Sequence, residues 1–399
     1  MTGNRSRLPL GEFDTIRLNA PYVTDPLALY TRLCQDRPNN LLLESVEIDS
    51  KAGTQSLLLV DACLRIECRG RTVRVRPLGD NGTALLRLLE QRLPAAVVQT
   101  RVADELHLDF PASDRELDED SRLKGSSVLD VLRTLQRELE CQLGKEALFM
   151  AGSFAYDLIA SFEDLPEVPE GSNDCPDYCF YVAETLITID HIKQSTQLLA
   201  CLFGGEGDEQ LDARYARLTA RLETFKQACQ QPQSAPQTTA PLTGALAVDK
   251  GDKQFCAEVE KLKGFIRRGD IFQVVPSRSF SLPCPDPVAA YRRLKQTNPS
   301  PYMFYVQDEG FTLFGASPES AVKFCANSRQ VEMYPIAGTR RRGLNPDGSI
   351  NLDLDGRIEL ELRQDEKEVA EHLMLVDLGR NDIGKIAQNG TVEVTQYME

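Results

Sequence analysis

Four short stretches hold the residue types that could do chemistry. They are NPSPYMF at 298–304, GASPES at 315–320, YPIAGTR at 334–340 and DEKEVAEHLMLVDLGRND at 365–382. In the last, Glu368 and Glu371 are three apart and so lie on one side of a helix. Such a pair holds a hard cation through oxygen, or it is a solvated acidic face. Two carboxylates ~5 Å apart repel by ~3 kcal/mol at an effective dielectric of 20, but by under ~1 kcal/mol in water. Only a buried pair therefore demands a cation or a proton. His372 points roughly 100° away from Glu371 on a helical wheel and reads as a packing or orienting group. In GASPES, Pro318 fixes the backbone and gives Glu319 a defined direction at the start of a strand. Partly desolvated, Glu319 would stay protonated and act as a general acid; in solvent it is an ordinary edge-strand side chain. In YPIAGTR, the backbone N–H groups of Gly338 and Thr339 and the Thr339 hydroxyl suit a carboxylate oxygen. Arg340 to Arg342 add positive charge; the plainer reading is a turn with a basic exit. The residues by themselves leave each pair of readings open.

The elements that must position these groups follow from periodicity. Asp365 opens an amphipathic helix whose apolar face is Val369, Leu373 and Val376, with Gly379 and Asn381 at its end. Before it, Tyr302–Val306, Phe311–Phe314, Ala321–Phe324 and Gln330–Tyr334 read as four antiparallel strands joined by short turns. A helix at 288–296 is entered at Asp286–Pro287. Another is capped by Asp252, has Phe255, Val259, Leu262 and Ile266 as its apolar face, and ends at Gly269. Ile271–Phe280 reads as a strand broken by Pro276. Nearer the N-terminus, 26–36, Thr83–Arg92, Val128–Leu139 and Asp212–Ala228 have helical spacing. Asn40–Glu44, Ser56–Val60, Cys63–Cys68, Thr72–Arg76, Tyr178–Asp190 and Gln197–Phe203 read as strands. The stretch 147–159 is apolar and buried, without an assignable type. Gln230–Leu246, rich in Pro, Gln, Thr and Ser and uncharged, reads as a linker or surface loop. It divides the chain into 1–229, 230–246 and 247–399.

Composition narrows the function classes. The 399 residues are 42% apolar and 26% charged, with a formal net charge of −15, as in a soluble globular protein with room for more than one domain. That charge argues against nucleic acid or anionic lipid as partner. An anionic substrate would need a local cation, either Arg/Lys or a metal. No apolar run reaches the ~18 residues of a membrane span, and MTGNRSRLPLGEFD lacks a secretory apolar core. The eleven cysteines include the close pairs Cys63/Cys68 and Cys175/Cys179, but no two-plus-two zinc spacing. They read as reduced, structurally buried thiols of a cytoplasmic protein.

The blocks PSPYMF, FGASPE, PIAGTRRRG and DEKEVAEHLMLVDLGRND, in this order, resemble the chorismate-utilising enzymes, and more closely component I of anthranilate synthase. LLLESVEIDSK and RGDIFQVVPSRSFSLP carry the resemblance along nearly the whole chain. It implies an α+β fold of large antiparallel sheets flanked by helices, a chorismate-binding domain with an N-terminal regulatory domain. It implies conversion of chorismate and ammonia to anthranilate and pyruvate in tryptophan biosynthesis. A glutamine amidotransferase subunit (component II) supplies the ammonia. By the same resemblance Glu371 matches a direct Mg²⁺ ligand and Glu368 an accompanying site carboxylate. Gly338 and Thr339 match substrate-binding positions, and Glu319 the carboxyl that delivers a proton to the departing hydroxyl. Ser45 and Glu44, with Pro301, Tyr302 and Met303, match the feedback site for L-tryptophan. There the first two lie in one domain and the last three in the other. Gln55 stands where some relatives carry Lys near this site.

Two positions discriminate within the family. Aminodeoxychorismate synthases, the alternative reading, use a Lys nucleophile where this chain has Ala337. Isochorismate and salicylate synthases use a Lys base where it has Gln273. Family members also continue past the position of Glu399, with a catalytic His and a second pair of metal carboxylates; neither His107 nor His191 matches that His. The expectation is little or no synthase activity from this chain alone. A further alternative is a non-catalytic fragment that senses tryptophan or binds the amidotransferase.

Overall fold

Leucine- and valine-rich runs form the strands, and amphipathic stretches between them form the helices. In chain order the strands are β1 (Phe13–Ala20), β2 (Asn40–Glu44), β3 (Gln55–Arg69), β4 (Thr72–Pro77), β5 (Val98–Val102), β6 (Glu105–Asp109), β7 (Met150–Phe154), β8 (Tyr178–Asp190), β9 (Ser195–Phe203), β10 (Ala247–Val248), β11 (Phe280–Ser281), β12 (Tyr302–Gln307), β13 (Thr312–Ser317), β14 (Lys323–Cys325) and β15 (Gln330–Glu332). The helices are α1 (Pro26–Cys34), α2 (Asp80–Arg92), α3 (Glu119–Lys124), α4 (Asp130–Glu138), α5 (Asp208–Gln230), α6 (Asp252–Arg268), α7 (Pro287–Thr297), α8 (Leu352–Gln364) and α9 (Glu366–Gly384). This computed structural model describes residues 8–34, 37–45, 55–112, 118–141, 144, 147–163, 165, 174–205, 208–231 and 244–397. Most of the expected linker, 232–243, lies outside them.

The described chain groups into two units. The first takes Met1–Leu42, Gln55–Asn298 and Tyr305–Phe314; the second takes Leu43–Thr54, Pro299–Phe304 and Gly315–Glu399. One 11-stranded sheet has the order β1-β9-β8-β3-β2-β12-β13, with β4, β5, β6 and β7 branching from β3 and β8. The pairs β1–β9, β8–β9, β3–β8, β3–β4, β4–β6 and β7–β8 are antiparallel. With the helices this is an α+β fold built on a large antiparallel sheet.

The first unit has a dense core. Leu85, Leu88 and Leu89 of α2 and Val131 and Leu135 of α4 are buried with Ile66, Val73, Val75, Leu106 and Leu108 of the sheet. Each such side chain contributes about 1.5–3 kcal/mol by leaving water. The two strands expected at 56–60 and 63–68 are one strand, irregular at Asp61. Asp61 accepts hydrogen bonds from Arg37 (2.9 Å), Arg221 (3.0 Å) and Thr185 Oγ1 (2.8 Å). A bulge lets the sheet pass a buried charge without breaking. In place of the expected strand at 271–280, only Phe280 and Ser281 pair, with Val248 and Ala247. Pro276 removes a ladder donor.

Among the features that escaped the periodicity reading are β1, the β5–β6 hairpin, α3 and α8. The hairpin strand Val98–Val102 is exposed along its whole length, so no apolar alternation marks it. In α8, LDLDGRIELELRQ, Gly356 and four acidic residues mask the helix. Cys34, Cys63, Cys68, Cys179, Cys201 and Cys229 are buried as expected, and burial raises their thiol pKa values. Cys175, Cys256, Cys284 and Cys325 are exposed, so burial does not account for them. Among the described residues, no helix is long and apolar enough to cross a membrane.

Candidate active site

The second unit gathers the loop after β15, the helix α8 and the start of α9. Asp365 caps α9: its Oδ1 accepts from the N–H groups of Lys367 (3.0 Å) and Glu368 (3.2 Å). This satisfies two of the four unpaired donors of a helix start. It also fixes the rotation that brings Glu368 against the loop. There the fit is tight: a Cβ on Gly338 would stand 1.9 Å from Glu368 Oε2. Only glycine leaves room for that carboxylate.

The loop is held at both ends by side chains. Glu319 Oε1 accepts from the Ile336 N–H at 3.0 Å. Arg340 donates to Glu368 Oε1 (3.2 Å), Asp365 Oδ2 (3.0 Å) and the Thr339 carbonyl (3.0 Å). Next to it, Arg342 binds both oxygens of Asp355 at the start of α8. Between loop, α8 and α9 lies a cavity of about 300 Å³ lined by Pro335, Ile336, Ala337, Gly338, Leu362 and Val369. Glu359, Arg363, Glu368 and His372 supply its polar groups. Apolar walls with few polar groups suit a small ligand.

Of the residues singled out from sequence, Gly338, Thr339, Glu368 and Glu371 all belong to this neighbourhood. Lys367 Nζ stands 3.7 Å from Glu368 Oε1 and 3.8 Å from Glu371 Oε2. The Lys367 ammonium is thus within ion-pair range of both carboxylates. The donors are hard oxygens, which fit Mg²⁺, an ion that commonly takes one or two carboxylates and completes its shell with water or substrate. Among the described residues no group of three or more His, Cys, Asp or Glu is placed to hold a metal, so within them Glu368 and Glu371 are the pair that would hold it. His372 lines the cavity, and its ring is tilted 54° to that of Tyr397, centroids 6.1 Å apart.

Two expectations need correction. Glu319 is not at a strand start: it lies in the connection after β13 and is exposed. Ser317 Oγ accepts from its N–H at 3.3 Å, so the Ser-Pro corner folds on itself before β14 begins. The helix face Val369–Leu373–Val376 is not closed either, since Leu373 is 45% exposed. What the sequence reading missed is the bracing: Asp365 and Arg340 as partners of Glu368, and α8 as a wall. The run of three arginines after the loop, in so acidic a chain, was the available signal.

The second constellation is at β2 and β12, neighbours in the sheet. The Asn39 N–H donates to the Gln307 carbonyl at 2.7 Å. The start of β2 thus meets the end of β12, which sends the Glu44–Ser45 end of one toward the Pro301–Met303 start of the other. Glu44 and Met303 are buried, and Tyr302 is 38% exposed. All five residues fall in the second unit, not one group in each as expected from the sequence.

Comparison with known proteins bears on the whole chain. The family of chorismate binding enzymes matches residues 97–399. The anthranilate synthase component 1 of Vibrio parahaemolyticus is 48% identical over 98% of this chain and 71% of its own length. That of Escherichia coli is 52% identical over 93% of this chain and 70% of its own. The crystal structure of anthranilate synthase component I from Streptococcus pneumoniae superposes with a TM-score of 0.56 at 25% identity, covering 96% of this chain and 72% of that one. At this level of identity and coverage, the chain belongs to the anthranilate synthase component 1 family of chorismate-binding enzymes.

Proposed function

We propose that the chain acts as the large subunit of anthranilate synthase, taking chorismate and ammonia to anthranilate, pyruvate and water. The observation that carries this reading is the seat of Glu368 on Gly338. A carboxylate bound by the Gly338–Thr339 loop would lie beside the carboxylates that face a cation. Gly338 and Thr339 bind the substrate carboxylate by N–H and hydroxyl donation. Glu371 would hold Mg²⁺ directly, with Glu368 as the accompanying carboxylate. When bound, Mg²⁺ neutralises the ring carboxylate of a dianionic substrate in an acidic protein. Ammonia adds at C2 of the ring as the hydroxyl leaves C4, and because hydroxide is a poor leaving group it needs a proton; Glu319, exposed in the free chain, would supply it once bound substrate covers it. Loss of pyruvate then makes the ring aromatic. Ala337 lines the cavity and carries no amine, which closes the covalent route of an aminodeoxychorismate synthase.

The same proposal assigns 1–229 as an N-terminal regulatory region, 230–246 as a linker and 247–399 as the chorismate-binding region. Tryptophan would bind at Ser45, Glu44, Pro301, Tyr302 and Met303 and inhibit by biasing the arrangement of the chain around the substrate site. A glutamine amidotransferase is the partner that supplies ammonia, and the cytoplasm is the location. Calorimetry with chorismate tests the core of the reading. Binding should require Mg²⁺ and disappear in Glu371→Gln; chorismate binding indifferent to both would overturn it. Saturable tryptophan binding that survives Ser45→Arg would remove the feedback site from the residues named.

A further inference from the structure

Glu368 is shared. Its Oε2 occupies the space over Gly338, and its Oε1 accepts from Arg340 at 3.2 Å. Arg340 is not a passing surface charge. It binds three acceptors at once, on the loop (Thr339 O), on the helix cap (Asp365 Oδ2) and on Glu368. Its side chain is 30% exposed, and that of Glu368 13%. The guanidinium therefore neutralises the carboxylate that a divalent cation would also need, and it does so from the substrate loop itself. A cation drawing on Glu368 must share that carboxylate with Arg340 or displace it.

We propose that Arg340 is a positioning residue that competes with the divalent cation for Glu368, so that occupation of the metal position is coupled to the hold on the 335–340 loop. The proposal rests on the reading of Glu368 and Glu371 as the metal carboxylates. With the metal absent, Arg340 clamps Glu368 to the loop. With the metal present, the Glu368 contact loosens and the arginine is left to Asp365 and the Thr339 carbonyl. Lys367 faces both carboxylates from farther away, 3.7 and 3.8 Å, and is 79% exposed. Water screens it, which leaves Arg340 as the stronger competitor.

Mn²⁺ binding to the full chain, read by the electron paramagnetic resonance of the free ion, provides the test. Arg340→Gln should tighten Mn²⁺ binding about fivefold, the size of a partly exposed ion pair. Arg340→Lys, which keeps a cation in reach of the same acceptors, should restore most of the wild-type affinity. Arg341→Gln removes the same charge one residue away and should shift affinity by less than about twofold. Unchanged or weakened binding in Arg340→Gln, with a wild-type circular dichroism spectrum, would overturn the proposal. An equal tightening in Arg341→Gln would also overturn it, because the effect would then be net charge and not the contact. Absence of Mn²⁺ binding in the wild type, or its survival in Glu371→Gln, would instead remove the metal reading on which the proposal stands.

Discussion

Two arginines in this molecule each tie together acidic groups, and their surroundings give them different work. Arg65 grips Asp308 with two hydrogen bonds, 2.9 and 3.0 Å, and also binds Glu67. Asp308 is 3% exposed and takes further hydrogen bonds from the Tyr181 hydroxyl and the Gly310 N–H. Arg340, in the other unit, grips Glu368 and Asp365 through single hydrogen bonds at a half-open surface. The first network centres on the buried Asp308, whose oxygens are taken up by Arg65, Tyr181 and Gly310. The second can exchange one cation for another. Burial thus separates an ion pair that holds strands in register from one that can take part in binding.

The sharpest way to break that contrast is to remove one carboxylate from each network. Asp308→Ala leaves Arg65 charged and buried and should cost about 3–5 kcal/mol, read as a lower urea midpoint. Glu368→Ala should stay within about 1 kcal/mol. Equal losses in the two variants would show that exposure does not separate them. Acid should act in the same order. Burial raises the Asp308 pKa, but the hydrogen bonds from Arg65, Tyr181 and the Gly310 N–H outweigh it and hold the carboxyl at about 2. A folded-state pKa below the unfolded one stabilises the fold above the ordinary carboxylate range. That stability should therefore drain as pH falls from ~4 through about 2, and more steeply in the wild type than in Asp308→Asn.

Two glycines sharpen the comparison at a smaller scale. An added Cβ would stand 1.9 Å from a neighbour at both Gly82 and Gly338. At Gly82 the neighbour is the Cys63 carbonyl oxygen of β3, with further backbone atoms of Cys63 and Pro77 behind it. At Gly338 it is the tip of the Glu368 side chain. Backbone inside a sheet cannot give way, so Gly82→Ala should cost about 1–3 kcal/mol in thermal or urea unfolding. A side chain can swing, so Gly338→Ala should cost less than about 1 kcal/mol of stability yet weaken Mn²⁺ binding about tenfold or more. Unchanged Mn²⁺ affinity in Gly338→Ala would mean that the Glu368 seat does not matter to the cation.

The same contrast explains what could be read from the sequence. In the first unit the signal is apolar periodicity, and packing obeys it: β2, β8 and α2 form close to where their leucines and valines place them. Asp61 is the exception, because a single buried charge in a long strand imitates a turn. In the second unit the signal is the identity of a few residues, and periodicity helps little. The helix opening at Asp365 is plain from its cap, but α8 hides behind Gly356 and its acids. Resemblance located Gly338, Glu368 and Glu371. It could not give the contacts of Arg340, since three consecutive arginines offer the same charge. Only the geometry distinguishes Arg340, on Glu368 and Asp365, from Arg342, on Asp355.

Asp365 carries the smallest prediction and the finest division of the site. One oxygen, Oδ1, caps α9 through two backbone N–H groups; the other, Oδ2, takes Arg340. Asp365→Ala loses both functions and should destabilise the helix by about 1 kcal/mol. Asp365→Asn keeps a side-chain oxygen for the cap and gives up only the charge, so its stability should stay within about 0.5 kcal/mol of wild type. Yet Arg340 then has one carboxylate instead of two, and its remaining charged partner is Glu368. Mn²⁺ binding should therefore weaken in Asp365→Asn, and that weakening should vanish when Arg340→Gln is combined with it. A weakening that persists in the double variant would assign the effect to the field of the Asp365 charge and not to competition by Arg340.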